Sequence, residues 1–350
     1  MNVKFRIRLA AVAGAAALGL SLLAAPASAD PINSGTGAAE FRQLVAVGSD
    51  TTQDVISRLG EVVLDPNNTP DNQLIASYGT TGTTPIKTRA VNCSIQRPNS
   101  SSAGIEALRA DLSALPGSTT KNCIDVARSS RGPVDTSTTR LTWIPFAKDA
   151  VTVALRSDSL LNDGVGFTTA QLAQIYTCVP SALTRTYSTA TGPVTITLKP
   201  LLPQAGSGTR TFFLEKIGVT TPGSCVDGTV QVNDGTVLTD PGHLAPYSIT
   251  QYIAQTSGVV PDRHGVTVLS RVNGVAPRVA GKLNTAFPYA RDVYNVVPTA
   301  RLTDGAIPDA DLISAFVGPT SKVCLQTTMI QAYAFATIAN CGSTSLQGER

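Results

Sequence analysis

The chain has 350 residues, 42% hydrophobic and 15% charged, and a formal net charge of +3 from 27 basic and 24 acidic side chains. Three of the basic residues (Lys4, Arg6, Arg8) stand before residue 30 and no acidic residue does, so the rest of the chain is balanced and gives no reason to expect a nucleic acid or an anionic membrane as partner. High apolar content with low charge excludes a disordered chain and allows a core large enough for two domains of ordinary size.

In chain order, residues 1–29 read as a secretory signal. Lys4, Arg6 and Arg8 form a basic start, Leu9 to Leu23 an apolar stretch, and Ala27-Ser28-Ala29 a small-residue cleavage site. No cysteine stands at the cleavage point, so no lipid anchor is expected, and no later stretch is apolar for long enough to span a bilayer. Residues 30–40 read as a flexible, glycine-containing leader. Phe41 to Val47 is a predicted strand, Gly48-Ser49-Asp50-Thr51-Thr52 a turn, and Val55, Ile56, Leu59 and Val63 recur at helical spacing behind competent N-caps. Asp65 to Asn72 is a loop and Leu74 to Tyr78 a short strand. A hydroxyl-rich turn, Pro98 to Gly104, precedes a helix carrying Ile105, Leu108 and Leu112. Ile124 to Ala127 is a short strand that runs into a third polar turn, Arg128-Ser129-Ser130-Arg131-Gly132-Pro133.

Leu141 to Leu155 is long, apolar and extended, with Pro145 interrupting it, as suits a strand passing from one domain to the next. Thr168 or Thr169 caps a helix with Leu172, Ile175 and Tyr176. Val194 to Leu202 leads into Ala205-Gly206-Ser207-Gly208-Thr209, and Phe212, Phe213 and Ile217 lead out, which is the pattern strand, tight turn, helix. Free N–H groups and the positive end of the helix dipole meet at such a turn and favour an anion. Ser248 to Ala254 is a predicted helix, Val266 to Val275 a strand ending in an Asn-Gly turn, Phe287 to Val297 a second extended apolar passage, and Asp309 to Phe316 and Thr327 to Ile338 closing helices. Strand and helix alternate throughout, the mark of an α/β architecture.

All six cysteines (Cys93, Cys123, Cys178, Cys225, Cys324, Cys341) follow the signal. An even number in an exported chain reads as disulfides, and pairing between sequence neighbours is expected: Cys93–Cys123, Cys178–Cys225 and Cys324–Cys341. With no C-x-x-C and two histidines, a zinc site is not expected. Nor is there a G-x-S-x-G elbow or a phosphate-binding P-loop, and Thr211 stands where a dinucleotide fingerprint would need its third glycine.

One hydroxyl at a helix start is most often only a cap. Strand, polar turn and helix recur around Thr52, Ser101 and Ser207, however, with a further polar turn at Ser130, and ligands of open α/β sheets sit at the carboxyl ends of strands. The order of these motifs resembles that of the phosphate-binding proteins serving ABC-type phosphate transporters. The family's G-x-G-x-T-F turn is matched by Gly48 to Gln53, its S-S-G-G by Ser101-Ser102-Ala103-Gly104, its A-S-D-x-P loosely by Arg128 to Pro133, and its D-G-S-G-T by Ala205 to Thr209. Phe287-Pro288-Tyr289-Ala290-Arg291 resembles the segment that returns to the first lobe.

The resemblance implies a two-lobed type II periplasmic-binding-protein fold, each lobe a mixed sheet flanked by helices, with a ligand cleft between them. Lobe 1 would be 41–143 plus 284–350 and lobe 2 144–283. It implies ligand contacts from Thr51, Thr52, Ser101, Ser102, Ser130, Ser207, Gly208 and Thr209, with Arg131 or Arg210 as the positive charge, although a solvated surface side chain is the commoner fate of either arginine. The chain departs from the family at three positions. Ser130 stands where the family's aspartate accepts a hydrogen bond from a protonated phosphate oxygen, and Pro203 and Ala205 stand where the family carries an arginine and an aspartate. A serine there discriminates less sharply against an unprotonated oxyanion such as sulfate. The expected function is a secreted, monomeric, non-enzymatic solute-binding protein without cofactor. It would capture inorganic phosphate or a similar oxyanion, with an ABC-transporter permease as a further partner. The alternative is a secreted surface or interaction protein that kept the fold and lost tight binding. A phosphoester hydrolase lacks an evident base or metal cluster.

Overall fold

The computed structural model describes residues 30–32, 39–65, 73–114, 123–303 and 309–350. The signal reading, and parts of the leader and of the 65–72 loop, lie outside these residues. The chain begins with β1 (Leu44–Gly48), α1 (Gln53–Val62), β2 (Ile75–Ser77) and a small hairpin, β3 (Ile86–Lys87) with β4 (Ser94–Ile95). Next come α2 (Ser101–Ala114), β5 (Val126–Ser129) and the 16-residue β6 (Leu141–Arg156). The middle of the chain holds α3 (Thr169–Tyr176), β7 (Thr184–Thr189), β8 (Gly192–Thr197), β9 (Lys199–Pro203) and α4 (Gly208–Lys216). It continues through β10 (Asp227–Val230), β11 (His243–Ser248), α5 (Ile249–Thr256), β12 (Thr267–Leu269), β13 (Arg278–Val279) and β14 (Lys282–Leu283). The long β15 (Ala290–Pro298) is followed by α6 (Ala300–Thr303), α7 (Ala310–Phe316), α8 (Thr327–Ala332) and β16 (Gln347–Gly348).

One hydrogen-bonded sheet runs through the molecule in the order β10-β9-β11-β6-β15-β5-β1-β2, with β12 and β16 also on β6. β1 pairs in parallel with β2 and β5, and β9 with β10 and β11. β6 and β15 run antiparallel to each other and join the two parallel groups. On β6 the change of partner falls between Ala150, opposite β15, and Val151, opposite β11. Pro145 does not end β6. It sits where the β6–β15 register shifts, between Val293 and Tyr294, so the N–H it lacks is not asked of a regular ladder.

Both faces of each half are covered. In β1, Leu44 and Ala46 enter the core with Val55, Ile56 and Leu59 of α1, while Val45 and Val47 enter the core with Ile105 and Leu108 of α2. This two-residue alternation, apolar on both sides, is what a buried parallel strand requires. In the other half, Val151, Val153 and Leu155 of β6 pack with Leu172, Ile175 and Phe213 of α3 and α4, and Ala154 faces Tyr247 and Tyr252.

Helix α3 starts where Thr168 and Gln171 form a reciprocal capping box. The expected Thr327–Ile338 helix ends at Ala332, because the chain turns through Ala334 at φ 67°. Of Val266 to Val275, only Thr267–Leu269 pairs as a strand. The three expected disulfides join Cys93–Cys123, Cys178–Cys225 and Cys324–Cys341. Among the described residues no helix is long and apolar enough to cross a membrane, and no cluster of histidine, cysteine and acidic side chains could hold a metal.

Candidate functional site

The parallel strands of each half end in polar turns, and the turns from the two halves meet at a seam. On the first side, Gly48 takes φ +117° at the end of β1, and a Cβ on Gly104 would lie 2.6 Å from the Gly48 Cα. Two glycines in contact thus let the start of α2 settle on the β1 and β5 ends. That contact brings Ser101 to Ser130. Their hydroxyls are 3.4 Å apart, and the Ser130 N–H donates to Ser101 Oγ at 3.2 Å.

On the second side, the β9–α4 turn passes through Gly206 at φ +83°, and Ser207 caps α4 by accepting the Arg210 N–H. Gly208 lies directly against the first side. A Cβ there would come within 2.6 Å of Ser130 Oγ and closer still to Ser101 Oγ. The Ser102 N–H donates to the Gly206 carbonyl at 3.1 Å, and Thr51 Oγ1 lies 3.4 Å from Thr209 Oγ1. Thr51, Thr52, Ser101, Ser130, Ser207 and Thr209 are each at most 2% exposed. Thr52 caps α1 only by position: its Oγ1 is buried with no hydrogen-bond partner among the described residues.

The structure thus gathers Thr51, Ser101, Ser130, Gly208 and Thr209 at the seam, with Thr52 and Ser207 on its two helix starts. Of the two arginines named from sequence, Arg131 reaches Ser102 and Arg210 is held away by carbonyls. Arg131 is buried, donates to Ser102 Oγ (3.0 Å) and the Gly132 carbonyl, and lies over the Trp143 ring. Arg210 donates to the carbonyls of Pro203 and Gly228, both at 3.0 Å, and ties β9 to β10.

Several residues that the sequence reading did not name as ligand contacts complete the site. Asp149 and Arg291 face each other across β6 and β15, one residue from the change of partner. Arg291 Nε and Nη2 donate to Asp149 Oδ2 (3.0 and 2.7 Å), and Nη2 also donates to Thr209 Oγ1 (3.0 Å). Burial pushes the Arg291 guanidinium below its ordinary pKa and Asp149 opposes that shift. On the first side, Asp50 Oδ1 accepts from Asn233 Nδ2 at 2.9 Å, and Oδ2 accepts from Thr80 (3.3 Å) and Arg263 (3.4 Å). Gln251 of α5 donates to the Thr51 carbonyl at 2.8 Å. Arg128, fully buried, donates to the carbonyls of Ala46, Ser49 and Tyr78 and binds the strand ends together. Burial lowers its pKa to about 10, against the pull of Asp54 and Asp50. Asp54 is raised to about 6 by burial first and Asp50 second, with Arg263, Gln251 and Arg128 opposing. One signal in the sequence could have found the pair: Asp149 is the one acid in a long, mostly apolar strand, and a buried charge needs a partner.

No protein-family model matches the chain, and no curated protein matches it in sequence. Solved structures do match. An ABC-type phosphate transport receptor from Vibrio cholerae superposes with a TM-score of 0.53 at 16% identity, covering 84% of this chain and 100% of that one. A protein from Clostridium perfringens, described as a phosphate ABC-transporter substrate-binding protein and solved with bound phosphate, gives 0.53 at 14% identity, covering 84% of this chain and 99% of its own. The fold is that of the type II periplasmic-binding proteins. β6 and β15 join the two parallel groups of the sheet, and Asp149 and Arg291 beside the seam lie next to their change of partner.

Proposed function

We propose that this chain is an extracytoplasmic, non-enzymatic solute-binding protein that holds a small oxyanion, with phosphate as the first candidate, between two lobes for ABC-type uptake. The observation that carries this reading is the convergence of hydroxyls from four turns of both halves on one buried seam: Thr51 with Thr209, and Ser101 with Ser130, around Gly208. Hydroxyls and backbone N–H groups at helix starts suit an anion. Three disulfides and the signal-like first 29 residues support a place outside the cytoplasm. Thr51, Thr52, Ser101, Ser102, Ser130, Ser207, Gly208 and Thr209 are the proposed contacts, on a monomer that meets a permease.

Titration calorimetry with phosphate on residues 30–350 tests this. Saturable binding is expected, and Ser101→Ala should weaken it roughly tenfold, since a hydrogen bond to a charged group contributes about 1.5–3 kcal/mol. Absence of heat with phosphate, sulfate and related oxyanions would remove the ligand claim. The second reading, an interaction protein that kept the fold, is favoured by the direct bridges across the seam: Ser102 to Gly206, Asn233 to Asp50 and Gln251 to Thr51.

A further inference from the structure

Pro203 and Ala205 leave the β9–α4 turn without a charge of its own, whereas Arg291 stands directly behind Thr209. The Asp149 carboxylate that holds Arg291 is itself well supplied. Its Oδ1 accepts from Ser248 Oγ (2.9 Å), Thr250 N (3.2 Å) and Thr250 Oγ1 (2.9 Å) at the start of α5. With its charge shared among five donors, Asp149 fixes the guanidinium without claiming all of it. Arg291 Nη1 is buried and has no hydrogen-bond partner among the described residues.

The donors also set which way the hydroxyl protons point. A guanidinium cannot accept a hydrogen bond, so Thr209 Oγ1 accepts from Arg291 and turns its own proton away, toward the seam. The Asn233 amide is oriented by the Ser248 N–H, which donates to Asn233 Oδ1 at 3.1 Å, so Asn233 Nδ2 donates to Thr51 Oγ1 at 3.3 Å. Ser101 Oγ accepts from the Ser130 N–H. Three hydroxyls from three turns thus have one lone pair filled from behind and their protons directed at the seam, where Thr51 faces Thr209 and Ser101 faces Ser130. The carboxylates nearest the seam, Asp50 and Asp149, have both oxygens engaged by protein donors.

We propose that Arg291, positioned by Asp149, is the anion-anchoring charge of this seam, and that the seam, with the oxygens of Asp50 and Asp149 already taken by protein donors, discriminates weakly between protonated and fully deprotonated tetrahedral oxyanions, so that sulfate competes with phosphate. The inference rests on the oxyanion reading above. Phosphate near neutral pH keeps at least one proton and needs an acceptor for it, whereas sulfate has no proton to place.

Calorimetry in a chloride buffer at neutral pH, with sodium sulfate and sodium phosphate as probes, tests both parts. Wild type should bind sulfate within about tenfold of phosphate. Arg291→Met with Asp149→Asn, which removes both buried charges together, should weaken both anions tenfold or more. Ser130→Asp, which restores an acceptor, should shift the ratio at least tenfold toward phosphate. If the double variant does not melt cooperatively, Thr209→Val keeps the ion pair intact, removes the hydroxyl it orients, and should weaken both anions. Unchanged affinities in the double variant, or in Thr209→Val, overturn the role of Arg291. Phosphate bound a hundredfold more tightly than sulfate overturns weak discrimination. In either case the oxyanion reading stands. No binding of either anion by wild type removes both.

Discussion

The turns at Asp50–Thr52 and Gly206–Thr209 face each other across the seam and solve the same packing problem with opposite chemistry. Each follows a parallel strand and opens a helix. The first has two buried acids beneath it, Asp50 and Asp54, and Asp50 is answered by donors from the other half, Asn233 and Arg263. The second has no acid, only glycines and hydroxyls, and the charge behind it arrives on a crossing strand. The contrast teaches that a turn's own residues decide its shape, while what it can offer a ligand is decided by side chains far away in sequence.

The contrast can be broken at its charged supports, starting with the largest effect. Asp149→Ala leaves Arg291 buried without its carboxylate and uncaps the Ser248–Thr250 donors. A loss of about 3–5 kcal/mol is expected for a broken buried pair, read as a lowered urea midpoint. Asp54→Asn should act in the opposite direction. Because burial and Asp50 raise the Asp54 pKa to about 6 from its ordinary 3.8, the folded form holds that proton longer than the unfolded chain does. The stability this confers is complete below about pH 4, is lost as pH rises through about 6, and stays lost above it. The Asn variant should therefore be more stable than wild type by about 2–3 kcal/mol at pH 8 and nearly equal to it at pH 4, compared by urea melts at both values. Asn233→Ala should cost least, about 1–3 kcal/mol, by leaving an Asp50 oxygen short of a donor. It should also free the Thr51 hydroxyl to point either way, which anion titration would show as weaker binding.

Much of this was legible in the sequence. The helices after Thr52, Ser100 and Ser207 were readable because apolar periodicity and capping residues agree there. The disulfide partners were readable because each pair closes a short stretch of chain. The β7–β8 hairpin was not, since its threonine-rich strands are half exposed and carry little apolar alternation. The site was legible as a set of turns and illegible as an electrostatic arrangement. Arg131 and Arg210 were natural guesses, being adjacent to the motifs, yet Arg131 is held by the Gly132 carbonyl and Ser102, and Arg210 by the carbonyls of Pro203 and Gly228. Arg291 and Asp149 lie 142 positions apart and meet only through strand register, which no local pattern encodes.

The place of β15 in the sheet has a consequence for how the molecule is made. β15 sits between β5 and β6, so β1, β2 and β5 wait for a neighbour that begins at Ala290 of 350. The strands β9, β10 and β11 and the helices around them come from one uninterrupted stretch between the two crossing passages. As the chain emerges from its N-terminus, that middle stretch is the part able to become ordered first, while the earlier-made strands keep an open edge. Non-local pairing of this kind slows folding and prolongs exposure of unpaired strands. On the extracytoplasmic reading proposed above, a chain that crosses a membrane unfolded, and folds only after its last segment is free, avoids most of that hazard.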